Sequence, residues 1–172
     1  MTSLFVLGGA RSGKSRYAQA RAEALAEDLA GPLAYIATAQ AFDAEMTDRI
    51  ARHRHDRGAR WTTLEEPLDL AGAIDRAARD AGAILVDCLT LWLSNLMLAE
   101  RPLDTPVAAL EEAIRRCRVP LILVSNEVGL GIVPENPLAR AFRDEAGRLN
   151  QTVAALAGEV QFIAAGLPLR LK

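Results

Sequence analysis

Cysteine is almost missing from this chain: Cys88 and Cys117 are the whole supply, far apart and with no CxxC pairing. That excludes a disulfide-stapled scaffold, and the thiols read as buried groups in a reducing cytoplasm. Aromatic residues are scarce too, at 5%, so the 51% hydrophobic content is mostly aliphatic, as a buried parallel sheet requires. No apolar run exceeds strand length, so no membrane span is expected. Net charge is −2, which gives no global field for nucleic acid. No signal-peptide pattern precedes the first expected strand, which starts almost at Met1, so the expected location is cytoplasmic. Lysine is scarce: Lys14 and Lys172 are the only two, and every other permanently charged basic side chain is arginine.

Lys14 stands where a lysine has a particular use. Gly8-Gly9-Ala10-Arg11-Ser12-Gly13-Lys14-Ser15 matches the Walker A pattern GxxxxGK[ST]. An apolar run, Leu4 to Leu7, precedes it, and a helix-compatible stretch, Arg16 to Leu25, follows. In that context glycines let backbone N–H groups wrap a polyphosphate, and the helix N-terminus adds its dipole. Lys14 reaches the β- and γ-phosphates as a compact ammonium that arginine's planar fork does not replace. Ser15 offers a hydroxyl to Mg²⁺. The competing reading is a chance glycine-rich turn, which the flanking strand and helix disfavour. The motif implies a nucleoside triphosphate and leaves the reaction open.

Strand-like runs alternate with amphipathic stretches throughout. Strands are expected at 3–8, 33–38, 83–88 and 120–125, with a terminal pair at 160–165 and 168–171. Helices are expected over 68–80, 106–117 and 137–157. The alternation predicts one α/β domain, residues 1–172, with a mainly parallel sheet covered by helices on both faces. Gly166-Leu167-Pro168 leaves room only for a hairpin, so the last strand is expected to be an antiparallel edge.

Several positions carry chemistry, each with a plainer alternative. Asp87 ends the apolar strand Ala83-Ile84-Leu85-Val86, a Walker B pattern; it holds Mg²⁺ opposite Ser15 or caps the next helix. Arg49 to Arg60 holds five arginines and both histidines of the chain. On a helix, Arg49, His53 and Arg57 share one face. There the arginines clamp phosphates and favour a neutral, nucleophilic imidazole. A solvated basic face, with Asp48 and Asp56 as partners, is the preferred reading on spacing alone. Glu65 and Glu66, read as lying in a loop after this segment, accept from ribose or guanine groups or merely form surface. Trp61 stacks on a base or anchors that loop. Glu127 is a base or a satisfied strand-end carboxylate. The long stretch from Gly129 to Pro137 covers a site, with Asn136 capping the following helix and Pro137 at its first position.

Together these pieces resemble the bifunctional adenosylcobinamide kinase/adenosylcobinamide-phosphate guanylyltransferase family of cobalamin biosynthesis. The resemblance spans essentially the whole chain. It rests on Gly8 to Ser15, Tyr35-Ile36-Ala37-Thr38-Ala39, Arg49-Ile50 with His53, and Trp61. A distinctive run adds to these, Asn126-Glu127-Val128-Gly129 with Gly131-Ile132-Val133-Pro134-Glu135. Arg140, Phe142-Arg143-Asp144, Gly147-Arg148 and Asn150-Gln151 complete it.

The resemblance implies a RecA-like P-loop NTPase fold and a homotrimer. It implies two reactions: phosphorylation of adenosylcobinamide by ATP or GTP, then transfer of GMP from GTP to adenosylcobinamide phosphate. The second passes through a GMP–histidine intermediate, and His53 resembles that nucleophile. Some relatives have paired histidines at this point. Here Arg52 precedes His53, which keeps the spacing to Arg57 and Trp61. Nucleotide contacts carry over to Gly8, Gly9, Ala10, Arg11, Ser12, Gly13, Lys14 and Ser15. They carry over also to Ala37, Thr38, Ala39, Arg54, His55, Asp56, Arg57, Glu65 and Asp87. Mg²⁺ falls to Ser15 and Asp87. The segment bearing His53 is expected to close on the P-loop as a lid does. A small-molecule kinase without a covalent step and a nucleotide-dependent switch are the competing readings.

Overall fold

The computed structural model describes residues 3–27, 31–40, 58 and 60–172. Seven strands form one sheet: β1 (Ser3–Gly8), β2 (Leu33–Ala37), β3 (Trp61–Glu65), β4 (Ala83–Asp87), β5 (Leu121–Asn126), β6 (Glu159–Ala164) and β7 (Leu167–Arg170). Their spatial order is β3-β2-β4-β5-β1-β6-β7. Every neighbouring pair is parallel except β6–β7, which is antiparallel. The described helices are α1 (Lys14–Leu25), α2 (Leu70–Ala77), α3 (Leu89–Leu98), α4 (Asp104–Arg116) and α5 (Pro137–Leu156).

Strand alternation sends side chains to two faces. Leu4, Val6, Leu85, Ile122 and Val124 meet Ala18 and Ala22 of α1. Phe5, Ile36, Ile84, Val86 and Leu123 face the other way, among Ile74, Trp92, Leu93, Ile114, Leu149 and Val153 of α2 to α5. β1, β4 and β5 are buried on both faces, which is why they read as unbroken apolar runs.

Two elements differ from the sequence expectation. Residues 61–65 are a strand, not a loop: β3 pairs with β2 in register from Leu33↔Trp61 to Ala37↔Glu65. It is a half-exposed edge strand, so no apolar run marks it. Helix α3 is the second. Its sequence, LTLWLSNLML, is apolar almost all round because it is nearly enclosed, so the amphipathic period is faint. The terminal hairpin forms as expected with a shorter turn. Ala165 (φ 51°) and Gly166 (φ 81°) make a two-residue left-handed turn, the kind that matches strand twist. Pro168 sits inside β7, where an edge strand tolerates a missing N–H. Both cysteines are free and buried, as expected.

Candidate nucleotide site

The carboxyl ends of β1, β2, β4 and β5 meet at one edge of the sheet. Gly8 ends β1 opposite Asn126 of β5. Ala37 ends β2 opposite both Asp87 and Glu65. The P-loop fills the turn between β1 and α1. Gly13 is its hinge, at φ 95°, and serves as the N-cap of α1 without a side-chain cap. The first N–H groups of α1 are therefore available to an anion. Gly8 is required by packing: a Cβ there would lie 2.6 Å from the Ile163 carbonyl oxygen and 2.7 Å from Ser12 Oγ.

Lys14 is 8% exposed and its Nζ donates to the Gly9 carbonyl at 2.9 Å, so the ammonium already curls over the loop. Ser12 Oγ is buried with no hydrogen-bond partner. A buried hydroxyl without a partner is costly unless something arrives to meet it. That orphan, the uncapped helix end and the curled lysine fit a polyphosphate. Ser12 itself is fixed by its backbone, which accepts from the Gly166 N–H at 2.8 Å.

Asp87 is half-buried at the end of β4, and Tyr35 Oη donates to its Oδ2 at 3.2 Å. A Mg²⁺ ion among phosphates needs only one or two protein ligands besides water and phosphate oxygen. Ser15 and Asp87 fit such a set by donor chemistry, and no group of three or more ligating side chains occurs among the described residues. Next to Asp87, burial pushes the Cys88 thiol up to about 11, with the Asp87 charge adding to the shift, so it is no nucleophile at neutral pH.

Thr38 underlies this edge. It is fully buried; its Oγ1 donates to the Cys88 carbonyl at 2.7 Å and accepts from the Cys88 N–H at 2.9 Å. Its hydroxyl is thus engaged by scaffold, and Ala37 and Ala39 flank it in sequence. Helix α3 then ties the strand ends together. Thr90 Oγ1 accepts from the Asn126 N–H at 2.7 Å and pairs with Ser125 Oγ. Asn95 Nδ2 donates to the carbonyls of Thr38 at 2.7 Å and Pro67 at 3.1 Å. Trp92 Nε1 donates to the Leu68 carbonyl at 2.9 Å. None of these roles was evident in the sequence. The available signal was a single asparagine in an apolar helix, which must find buried partners.

Trp61 takes the anchoring role. Its Nε1 donates to Glu23 Oε1 of α1 at 3.1 Å, and its ring meets Tyr35 edge-on at 6.3 Å. Glu65 is exposed at the end of β3. Glu66 is spent locally: its carboxylate accepts from the N–H groups of Leu68 and Asp69 and pairs with Arg76. Glu127 donates its N–H to the Gly8 carbonyl, and its Oε1 accepts from the Gly129 N–H at 2.6 Å. Asn136 caps α5 as expected, accepting from the N–H groups of Leu138 and Ala139, with Pro137 next. Arg49, His53, Arg54, His55, Asp56 and Arg57 lie outside the described residues. The structure therefore places Gly8 to Ser15, Ala37 to Ala39, Glu65 and Asp87 along the carboxyl-terminal edge of one sheet, with Glu65 on β3 four strands from β1.

Solved structures share this sheet. The flagellar accessory protein FlaH of Methanocaldococcus jannaschii superposes with a TM-score of 0.57 at 13% identity, covering 99% of this chain and 78% of that one. A KaiC-like protein of Pyrococcus horikoshii gives 0.53 at 14% identity, covering 94% and 70%. These likenesses speak for the fold, which is of the RecA-like P-loop NTPase class. Sequence relatives say more. The bifunctional adenosylcobalamin biosynthesis protein CobP of Pseudomonas aeruginosa is 52% identical over 97% of this chain and 95% of its own length. The bifunctional protein CobU of Salmonella typhimurium is 44% identical over 98% and 99%. Residues 4–171 match the family model described as cobinamide kinase / cobinamide phosphate guanyltransferase. With that match over nearly the full length, this chain belongs to the cobinamide kinase / cobinamide phosphate guanyltransferase family of enzymes.

Proposed function

We propose that this enzyme carries out two successive reactions at one phosphate cradle. In the first, ATP or GTP phosphorylates the aminopropanol hydroxyl of adenosylcobinamide. In the second, a His53 nitrogen attacks the α-phosphorus of GTP, the α–β anhydride bond breaks, and pyrophosphate leaves. An oxygen of adenosylcobinamide phosphate then attacks the same phosphorus, the P–N bond breaks, and adenosyl-GDP-cobinamide forms. The observation carrying this reading is the pre-formed cradle, with the α1 N-terminus uncapped and Ser12 Oγ buried without a partner. Lys14 steadies the transferred phosphoryl group in one step and the departing pyrophosphate in the other. Ser15 and Asp87 would hold Mg²⁺, which would neutralise charge on the phosphate oxygens when bound. Glu65, Ala37 to Ala39 and Arg54 to Arg57 complete the nucleotide contacts, and the protein works in the cytoplasm. The expected assembly is a homotrimer. Leu167, Leu169 and Leu171, exposed along the edge strand and C-terminus, offer surface for subunit contact.

GTP labelled at the α-phosphate tests the covalent step. Label should remain on denatured protein, be released by acid and survive alkali, as for a phosphoramidate. Wild-type protein without label, or His53→Ala with full label, would sink the mechanism. Sedimentation equilibrium at three times the chain mass checks the assembly, and a monomer at working concentration refutes it.

A further inference from the structure

Beyond the strand ends, α3 and the first half of α5 enclose an apolar groove. Ser94, Met97 and Leu98 line it from α3, and Leu138, Ala139 and Phe142 from α5. Two contacts fix its height above the sheet. Asn95, beside Ser94, donates to Thr38 and Pro67, just past the ends of β2 and β3. Asn150 of α5 donates to the Asn126 carbonyl at the end of β5. Helix α5 runs from there back to the start of β6, so the part before Asn150 projects roughly 20 Å beyond the strand ends at ~1.5 Å per residue. The groove therefore stands at the same end of the sheet as the cradle and Asp87.

Exposed aliphatic side chains edge the groove and continue along the chain that leads into it. Leu98 is 63% exposed and Leu138 54%; on the segment from β5 to α5, Leu130 is 82% exposed, Ile132 98% and Val133 60%. This segment runs without a break from the cradle to the groove. At one end the Glu127 N–H donates to the Gly8 carbonyl. At the other, Arg140 donates to the Pro134 and Glu135 carbonyls, and Asn136 lines the groove. Polyphosphate and ribose are met by N–H groups, hydroxyls and charge, and a base covers little area, so this much aliphatic surface serves a different ligand.

We propose that this groove and its rim hold the apolar edge of the corrinoid acceptor; the inference rests on the cobinamide reading above. The corrin of cobinamide carries methyl groups between its amide side chains, and its reacting hydroxyl hangs on a flexible arm. The ring must lie beside the phosphate site, not in it, with the arm reaching in. The groove's volume, about 280 Å³, is at the lower end of ligand pockets, so it takes one edge while the exposed leucines and Ile132 support the ring.

Thiol protection tests this. Cys88 and Cys117 are buried, so a Leu98→Cys protein presents one accessible thiol to a polar maleimide. Saturating cobinamide should slow labelling at least tenfold, and a non-hydrolysable GTP analogue alone should not. Leu138→Cys should behave alike and replaces the first variant if that fails to bind the GTP analogue. Unslowed labelling with cobinamide bound overturns the groove assignment. Slow labelling without cobinamide also overturns it, because another copy then covers the surface. Wild-type protein that takes GMP label but fails to bind cobinamide in equilibrium dialysis overturns the acceptor reading and the groove together.

Discussion

Tyr35 Oη donates to Asp87 Oδ2 across 3.2 Å, so a side chain of β2 orients the carboxylate at the end of β4. Tyr35 is held in turn by Trp61, which is hydrogen-bonded to α1. The helix that begins at the phosphate cradle is thereby linked to the residue that would hold its metal ion.

Tyr35→Phe removes that donor and little else. A hydrogen bond to a charged carboxylate contributes about 1.5 kcal/mol or more. The Mg²⁺ concentration for half-maximal binding of a GTP analogue should rise by roughly tenfold or more. Affinity without Mg²⁺ should stay within twofold. A fluorescence titration with and without Mg²⁺ separates the two, and equal losses in both would refute an orienting role.

Thr38→Val keeps the shape of a buried residue and removes both hydrogen bonds to Cys88, leaving its N–H without a partner while its carbonyl still accepts from the Trp92 N–H. Two unmade buried hydrogen bonds should cost roughly 2–3 kcal/mol in urea unfolding. Thr38→Ser, which retains the hydroxyl, should recover more than half. If Val costs no more than Ser, Thr38 is not the clasp described.

Gly8→Ala drives a Cβ against backbone of β6, whereas a Cβ at Gly9 meets nothing within 4 Å. The first substitution should lower unfolding stability by about 1–3 kcal/mol, and the second should leave it nearly unchanged. Thermal unfolding of both proteins provides the comparison.

Arg21 of α1 and Glu159 of β6 form a two-pronged pair at 2.8 and 2.9 Å. The guanidinium holds the Glu159 carboxyl down at about 2, from an ordinary 4.5. A lowered acid pKa contributes stability that is complete above the unfolded value and fades as pH falls from there toward 2. Arg21→Met should therefore lose about 1 kcal/mol at pH 7 and match wild type near pH 2. Urea unfolding at both pH values tests the crossing, and a constant deficit would contradict it.

The doubly buried strands, the P-loop and the asparagine cap were legible because local chemistry sets them. Leu4 to Leu7 and Ile84 to Val86 announce their burial by composition, and Gly13 and Asn136 by backbone need. β3 was not legible because Trp61-Thr62-Thr63-Leu64-Glu65 owes its conformation to pairing with β2, a contact distant in sequence. α3 was not legible because its burial erases the polar face. Thr38, Asn95 and Tyr35 act through partners 28 to 57 residues away, and no local pattern encodes such distances.

Strand β5 lies between β1, which leads into the cradle, and β4, which ends in Asp87. Neighbouring strands are ~4.8 Å apart, so the two outer axes stand roughly 10 Å from each other. That width spares the lysine side and the carboxylate side from being next-door neighbours. A ligand that touches both sides must span that width or be met by side chains reaching across it. The order of the strands thus acts as a gauge for ligand length before any side chain is consulted.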